Sequence, residues 1–326
     1  MQEYAFMVHR IPVGILGGSG YAGRELGRIL ASHPKFEVAF ATAKERRGEP
    51  FAVGDRELTL LAPDDAPLKS VELVFSALPH GASELWVDRV SSNGVRAVDL
   101  SSDLRPGHTS RDVPYGLTEL FRADLVDAEI IANPGCYPTA ILLALLPLLE
   151  GDHIESGALV TIDAASGVSG AGNAPRPELL FAEVAENFRA YGVGNEHRHL
   201  AEMRETVGRF NRDVDLLFTP HLLPVARGIL ATITVPLRRM PTDLLAVWQQ
   251  RYAGEPFVEV REQLPALRDV IRRNVVRITA RPVAHVRRPT VIVFSAIDNL
   301  VKGAAGQAIQ NANVAFGIPE TTGLLG

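Results

Sequence analysis

The sequence predicts an α/β fold: a parallel-sheet domain at the N-terminus, an α+β domain after it, and a C-terminal helix that returns to the first domain. Three observations carry this reading. An apolar strand, Pro12–Leu16, runs into a turn with three glycines and then a helical pattern, Arg24–Ser32. Apolar strands then recur at strand–helix spacing, as in a parallel sheet with crossover helices. From about residue 158 the pattern becomes strand-rich, and it ends in a helix of small residues, 304–313. The predicted division is 1–135 with 301–326 against 136–300.

Composition bounds the function. With 326 residues, 46% of them hydrophobic, the chain can bury two cores. Net charge is −5, from 33 basic and 38 acidic residues, with no long basic run, which argues against a nucleic-acid partner. One cysteine excludes an intramolecular disulfide and fits a reducing compartment. Without CxxC or HExxH a cysteine-built zinc site is excluded and a metalloprotease site has no support, so no metal is expected. The opening MQEYAFMVHR has no basic region followed by a long apolar one, so no signal peptide is expected. The longest apolar run is about ten residues, too short to span a bilayer. The expected setting is the cytoplasm, with no membrane partner.

The first glycine turn reads Gly17-Gly18-Ser19-Gly20-Tyr21-Ala22-Gly23. Its GxxGxxG spacing, between strand and helix, is that of a Rossmann dinucleotide site. The first glycine permits the turn, the second lets backbone approach a pyrophosphate, and the third lets helix pack on strand. Gly17, Ser19, Gly20, Tyr21, Ala22 and Gly23 are therefore cofactor candidates. The next strand, Phe36–Ala41, is followed by Thr42-Ala43-Lys44-Glu45-Arg46-Arg47. NAD sites usually place an acidic residue there for the ribose 2′-OH. Thr42, Lys44 and Arg46 suit a 2′-phosphate better, which favours NADP(H), although Glu45 admits the other reading. Strands Val71–Leu78 and Val95–Leu100 follow, with a helix Ala82–Ser91 between them. Ligands gather at the carboxyl ends of such strands, so Leu78, Pro79 and Ser101 join the cofactor candidates. Arg105 is either an anion holder or a surface arginine.

Strand Ile130–Ala132 leads into Asn133-Pro134-Gly135-Cys136-Tyr137-Pro138-Thr139 and a helical run, Thr139–Leu149, with Pro138 as its first residue. Cys136 then stands at a helix N-terminus, where free N–H groups and the helix dipole favour a thiolate. A lone cysteine is also often just a small buried apolar residue. Here it emerges at a strand's carboxyl end, in the same crevice as the glycine turn, which favours a nucleophile.

In the second domain, strand Ala158–Asp163 precedes a small-residue loop, Ala164–Gly172, and a helix is expected over Glu178–Phe188. Tyr191-Gly-Val-Gly-Asn-Glu-His197-Arg-His199 concentrates polar groups. A catalytic cysteine needs a proton partner near neutral pH, and His197 or His199 supplies one if the fold brings it there. Otherwise the cluster only opens the helix Leu200–Asn211. Strands are expected at Asp215–His221, Ile229–Val235, Val258–Val260, Val275–Ile278 and Thr290–Ile297, with a helix-like run Pro241–Tyr252. The final helix is expected to place Asn299 and Lys302 near the crevice.

These motifs together resemble the N-acetyl-γ-glutamyl-phosphate reductase family, relatives of aspartate-semialdehyde dehydrogenase. The resemblance rests on GGSGYAGRE (17–25), SALPHG (76–81), DLSSD (99–103), YGLTEL (115–120), NPGCYPTA (133–140), SGVSGAG (166–172), HRH (197–199), FTPHLLPVARGILATI (218–233) and DNLVKGAAGQAIQN (298–311). It implies a Rossmann domain, an α+β substrate and oligomerisation domain, and a homodimer or homotetramer. It also implies a small acyl phosphate substrate that acylates Cys136, after which NADPH reduces the thioester. In that scheme His197 or His199 is the acid/base and stabilises the thiolate as an imidazolium. Ser166, Gly167 and Asn299 orient the nicotinamide, Lys302 lies at the cofactor site, and Arg105, Asn133, Tyr191 and His197 are candidates to hold substrate. Two positions depart from the family pattern: Leu104 replaces an aromatic residue and Asn173 an arginine. A sister group that reduces a carrier-bound aminoadipyl phosphate ranks second, and a non-catalytic NADP sensor is the reading from another class.

Overall fold

The computed structural model describes residues 10–325. The N-terminal stretch read against a signal peptide lies, up to residue 9, outside them. The first sheet has five parallel strands: β1 (Ile11–Leu16), β2 (Phe36–Ala41), β5 (Leu73–Ser76), β6 (Arg96–Asp99) and β7 (Ile130–Ala132), in the order β2-β1-β5-β6-β7. A hairpin, β3 (Pro50–Val53) and β4 (Arg56–Thr59), stands apart. Helices α1 (Tyr21–Leu30), α2 (Ser83–Ser91) and α3 (Thr118–Leu125) lie in the connections. The chain leaves β1 toward β2 on one side and returns to β5 on the other, so the strand order reverses there. The crevice at such a reversal is where doubly wound sheets bind ligands.

The next helix, α4 (Cys136–Glu150), is buried from Tyr137 to Leu149, and its apolar residues go all the way round, as a core helix requires. It starts two residues before Pro138, the first residue that the sequence suggests, so Cys136 is its first residue and Pro138 its third. Pro147 lies inside it and has no N–H for the carbonyl four residues back. That carbonyl, of Leu143, accepts instead from the Tyr252 hydroxyl at 2.5 Å.

The second sheet is mixed. Its strands are β8 (Leu159–Gly167), β9 (Arg189–Ala190), β10 (Asp215–Leu223), β11 (Ile229–Pro236), β12 (Val258–Val260), β13 (Val276–Pro282) and β14 (Thr290–Ile297), in the order β12-β13-β14-β11-β8-β10-β9. On β10 Leu216 and Phe218, and on β11 Ile229, Ala231, Ile233 and Val235, face a core shared with α4, α6 (His199–Gly208) and α7 (Ala246–Arg251). Leu217, Thr219, Leu230, Thr232, Ile292 and Phe294 alternate with them and are only half-buried. The helix expected over 178–188 is cut to one α turn, α5 (Phe181–Val184), after a 3-10 turn. Val184 is the one residue of α5 that is buried, and Leu180, Phe181 and Phe188 stay exposed although they are at helical spacing with it.

After β14 the chain makes a π-helical turn, Val301–Ala305, then α8 (Gly306–Ala315). Ala305, Ala308, Ile309 and Ala312 join the core of the first sheet, so the last helix does return. No helix among the described residues is long and apolar enough to cross a membrane.

Candidate active site

The glycine turn shows which glycines the fold itself requires. A Cβ on Gly17 (φ +81°) would lie 2.4 Å from the Ala77 carbonyl oxygen, and one on Gly23 would lie 2.4 Å from the Gly17 carbonyl oxygen. A Cβ on Gly20 meets only that same oxygen, at 3.5 Å. The protein leaves room at Gly20, so the space is available to a ligand's backbone-close approach. Gly20 is also the N-cap of α1, with no side chain capping the helix. The first-turn amides thus face outward, as a pyrophosphate site requires. These residues fit a dinucleotide. Beyond β2, Thr42 is buried with its hydroxyl unpartnered, Lys44 is exposed, and Arg46 already pairs with Glu49 (Nε to Oε2, 2.7 Å). Leu78, half-buried, and Pro79, exposed, leave β5 beside the turn.

Cys136 opens α4 and lines a cleft of about 240 Å³ together with Tyr137, Ser166, Gly167, Tyr191, His197 and His199. The two histidines, sixty residues away in sequence, do come to the cysteine. They are fixed by aromatic contact: the rings of Tyr137 and His197 lie 5.5 Å apart, and those of His197 and His199 4.9 Å. The Tyr137 and Tyr191 hydroxyls meet at 2.9 Å. Nδ1 of His197 accepts from the His199 N–H at 3.2 Å. Arg176, Arg189 and Arg198 add a cationic rim that suits an anionic substrate. The sequence reading did not single them out as site residues; Arg176 and Arg189 flank the helix expected over 178–188.

Electrostatics corrects two expectations. Burial pushes the Cys136 thiol up from its ordinary value, while Arg105, the Tyr137 N–H and Arg198 pull it back only in part. Burial, then Arg198, pushes His197 down to about 4. Burial, then Arg105, holds His199 well below its usual range. Both histidines are therefore neutral at pH 7, and no imidazolium stands by to pair with a thiolate. The arginines supply the nearby positive charge instead.

Several other candidates are engaged elsewhere. The Lys302 ammonium is fully buried and donates to Glu119 Oε1 at 2.5 Å and to Gln310 Oε1 at 2.8 Å. This holds Lys302 in a contact with α3, which carries Glu119. Its neighbour Gly303 faces the site: a Cβ there would lie 2.7 Å from that of Cys136. Asn133 is fully buried; its amide nitrogen lies near the Pro134 and Ala304 carbonyls, and its oxygen accepts from Asn311 at 2.9 Å. It shapes the turn before Cys136. The Ser101 hydroxyl donates to Asp99 Oδ2 at 2.7 Å and accepts from the Asp103 N–H, which makes it a turn support. The Asn299 side chain bridges the Gly228 N–H (2.8 Å) and the Ser169 hydroxyl (3.0 Å), holding the small-residue loop in place. Arg105 is buried, not a surface arginine. It donates to the Asn133 and Leu100 carbonyls at 2.7 Å each and leaves Nη1 3.5 Å from His199 Nε2.

Glu202 escaped sequence reasoning. It is fully buried on α6, one turn after His199. Its Oε1 accepts from the Gly135 N–H at 2.9 Å and from the Tyr115 hydroxyl at 2.5 Å, and its Oε2 lies 3.5 Å from Arg105 Nη1. The carboxylate thus clamps the turn before the nucleophile to the helix that carries the histidine. An i, i+3 spacing of His and Glu was the available signal. At the two departures from the family pattern, Leu104 is buried in the core, and Asn173 donates to the Ser19 carbonyl at 2.9 Å, across the crevice.

Comparison with known proteins agrees with this geometry. The family model described as semialdehyde dehydrogenase, NAD binding domain, matches residues 12–128, and the one described as semialdehyde dehydrogenase, dimerisation domain, matches 136–299. N-acetyl-gamma-glutamyl-phosphate reductase of Bordetella avium is 41% identical, covering 97% of this chain and 96% of that one. Its counterpart in Symbiobacterium thermophilum is 42% identical, with 97% of each chain covered. In structure, aspartate semialdehyde dehydrogenase II of Vibrio cholerae superposes with a TM-score of 0.78 at 19% identity, over 94% of this chain and 98% of that one, a likeness of fold. The chain belongs to the N-acetyl-gamma-glutamyl-phosphate reductase family of the semialdehyde dehydrogenases.

Proposed function

We propose that the chain reduces N-acetyl-γ-glutamyl phosphate to N-acetylglutamate semialdehyde and phosphate with NADPH, the reaction of the arginine-biosynthesis reductases. The observation that carries this is Cys136 at the start of α4, opening into a cleft with two neutral histidines and a rim of arginines. Cys136 Sγ attacks the acyl carbon, the C–S bond forms, and the C–O bond to phosphate breaks. Arg176, Arg189 and Arg198 neutralise the substrate's anionic groups, and Tyr191 borders the same space. NADPH, when bound, supplies the hydride that takes the thioester to the semialdehyde. The preference for NADP over NAD is supported by the absence of an acidic residue directly after β2 and by the exposed Lys44.

The histidines divide the proton work. His197 uses Nδ1 as an acceptor, so its neutral ring carries its proton on Nε2 and is a donor to an oxygen in the cleft. His199 turns Nε2 toward the Arg105 guanidinium, and its lone pair is the base nearest that charge. The half-buried outer face of the second sheet fits a second copy of the chain, as a homodimer or, doubled, a homotetramer. Its small-molecule chemistry suits the cytoplasm and calls for neither nucleic acid nor membrane.

Cys136→Ser tests the covalent step. Reduction is expected to be lost while NADPH binds with unchanged affinity; near-normal turnover would remove the thioester. Comparing N-acetyl-γ-glutamyl phosphate with a carrier-bound aminoadipyl phosphate separates the two substrate readings, and turnover of neither would leave the sensor.

A further inference from the structure

The Cys136 cleft is lined by the second domain and the glycine turn belongs to the first, and the side chain of Arg227 is one of those that tie the two together. Arg227 lies between β10 and β11, in the second domain. Its Nη2 donates to Glu25 Oε2 at 2.6 Å, and its Nη1 lies 3.5 Å from Asp298 Oδ2. The side chain of Glu25 is 3% exposed and that of Asp298 0%, so both ends of the bridge are shielded from solvent. Each end is fixed to one half of the site. Glu25 stands on α1, the helix that begins at the glycine turn, and Arg28 holds its other oxygen at 2.8 Å. The Asp298 carboxylate accepts from the Leu300 and Arg272 N–H groups, and its carbonyl accepts from the Gly303 N–H at 2.9 Å. Gly303 is the residue lying against Cys136. The backbone of Arg227 touches the cleft as well: a Cβ on Gly167 would lie 2.7 Å from its nitrogen.

We propose that Arg227 is a positioning residue that sets the distance between the glycine-turn helix and Cys136, and so governs hydride transfer without touching substrate or cofactor. The inference rests on the reductase reading above. Thioester formation requires Cys136 and its cleft. Hydride transfer additionally requires whatever α1 holds to stand in register with Cys136. Loosening the bridge therefore separates two steps that a general loss of structure would impair together.

The experiment compares Arg227→Met, Arg227→Lys and the unsubstituted enzyme. Phosphate release is followed in a single turnover without NADPH. NADPH oxidation, its deuterium isotope effect and NADPH affinity are measured beside it. Arg227→Met is expected to release phosphate and bind NADPH within about twofold of the parent, while NADPH oxidation falls about 10- to 100-fold and the isotope effect rises, the scale of a misplacement of about 1 Å. Lysine offers one compact charge where the guanidinium spans two carboxylates, so Arg227→Lys recovers only part of the rate. The proposal is overturned if phosphate release and NADPH oxidation fall together, or if neither falls. Should Arg227→Met not fold, Glu25→Gln, which keeps the side chain's shape, carries the same test in the same direction. An unsubstituted enzyme that released no phosphate would instead sink the reductase reading and leave the bridge aside.

Discussion

Replacing Lys302 by methionine separates a cofactor role from a structural one. Its side chain is 0% exposed and that of Glu119 1%. Burial lowers the Lys302 ammonium from its usual value and Glu119 draws it back up, while burial and Lys302 act in the opposite senses on the Glu119 carboxylate. Lys302→Met keeps the volume but leaves the Glu119 carboxylate buried with Gln310 Nε2, at 3.2 Å, as its remaining side-chain donor. Breaking one side of a buried pair costs about 3–5 kcal/mol. With an unfolding entropy of ~2.1 cal/mol/K per residue over 326 residues, that lowers Tm by about 4–7 °C. Glu119→Gln in the same chain removes the stranded charge and should restore most of the loss. Differential scanning calorimetry reads the stability, and NADPH fluorescence titration reads the affinity. The expected result is a lower Tm with NADPH affinity unchanged. An unchanged Tm with affinity weakened tenfold or more would refute the reasoning and return Lys302 to the cofactor site.

Other predictions follow from the same geometry. Gly20→Ala should leave Tm nearly unchanged and weaken NADPH binding tenfold or more, whereas Gly23→Ala should lower Tm, because its Cβ meets backbone at 2.4 Å; calorimetry and titration distinguish them. The pH–rate profile should rise on the alkaline side as the Cys136 thiol ionises and show no limb near 6.5, since His197 is pushed down to about 4; a limb near 6.5 removed by His197→Asn would contradict this. His80 and His197 both titrate near 4 in the fold and at about 6.5 when unfolded, so between those values the unfolded chain binds more protons. Their contribution makes stability fall as pH drops from about 6.5 toward 4, readable as a falling urea midpoint. Gly303→Ala should slow turnover by crowding Cys136, with NADPH affinity preserved.

The contrast between Gly20 and Gly23 shows how the site divides between chain and fold. The sequence by itself determined the local elements that positioned it. The strand–glycine–helix unit and Cys136 at a helix start depend on neighbours in the chain, and local patterns record them; the loop expected over 164–172 is strand as far as Gly167. Strands β2, β7, β12 and β14 lie at the residues expected from the sequence. The tertiary structure alone decided which polar groups face the cleft and what charge they carry. Lys302 and Gly303 are adjacent in sequence, yet the π turn sends one into a buried ion pair and sets the other against the nucleophile. Glu202 and Arg227 find partners more than sixty residues away in sequence. The state of the histidines was likewise invisible, because desolvation depends on how much protein surrounds a ring, a property of packing that no spacing of residues encodes.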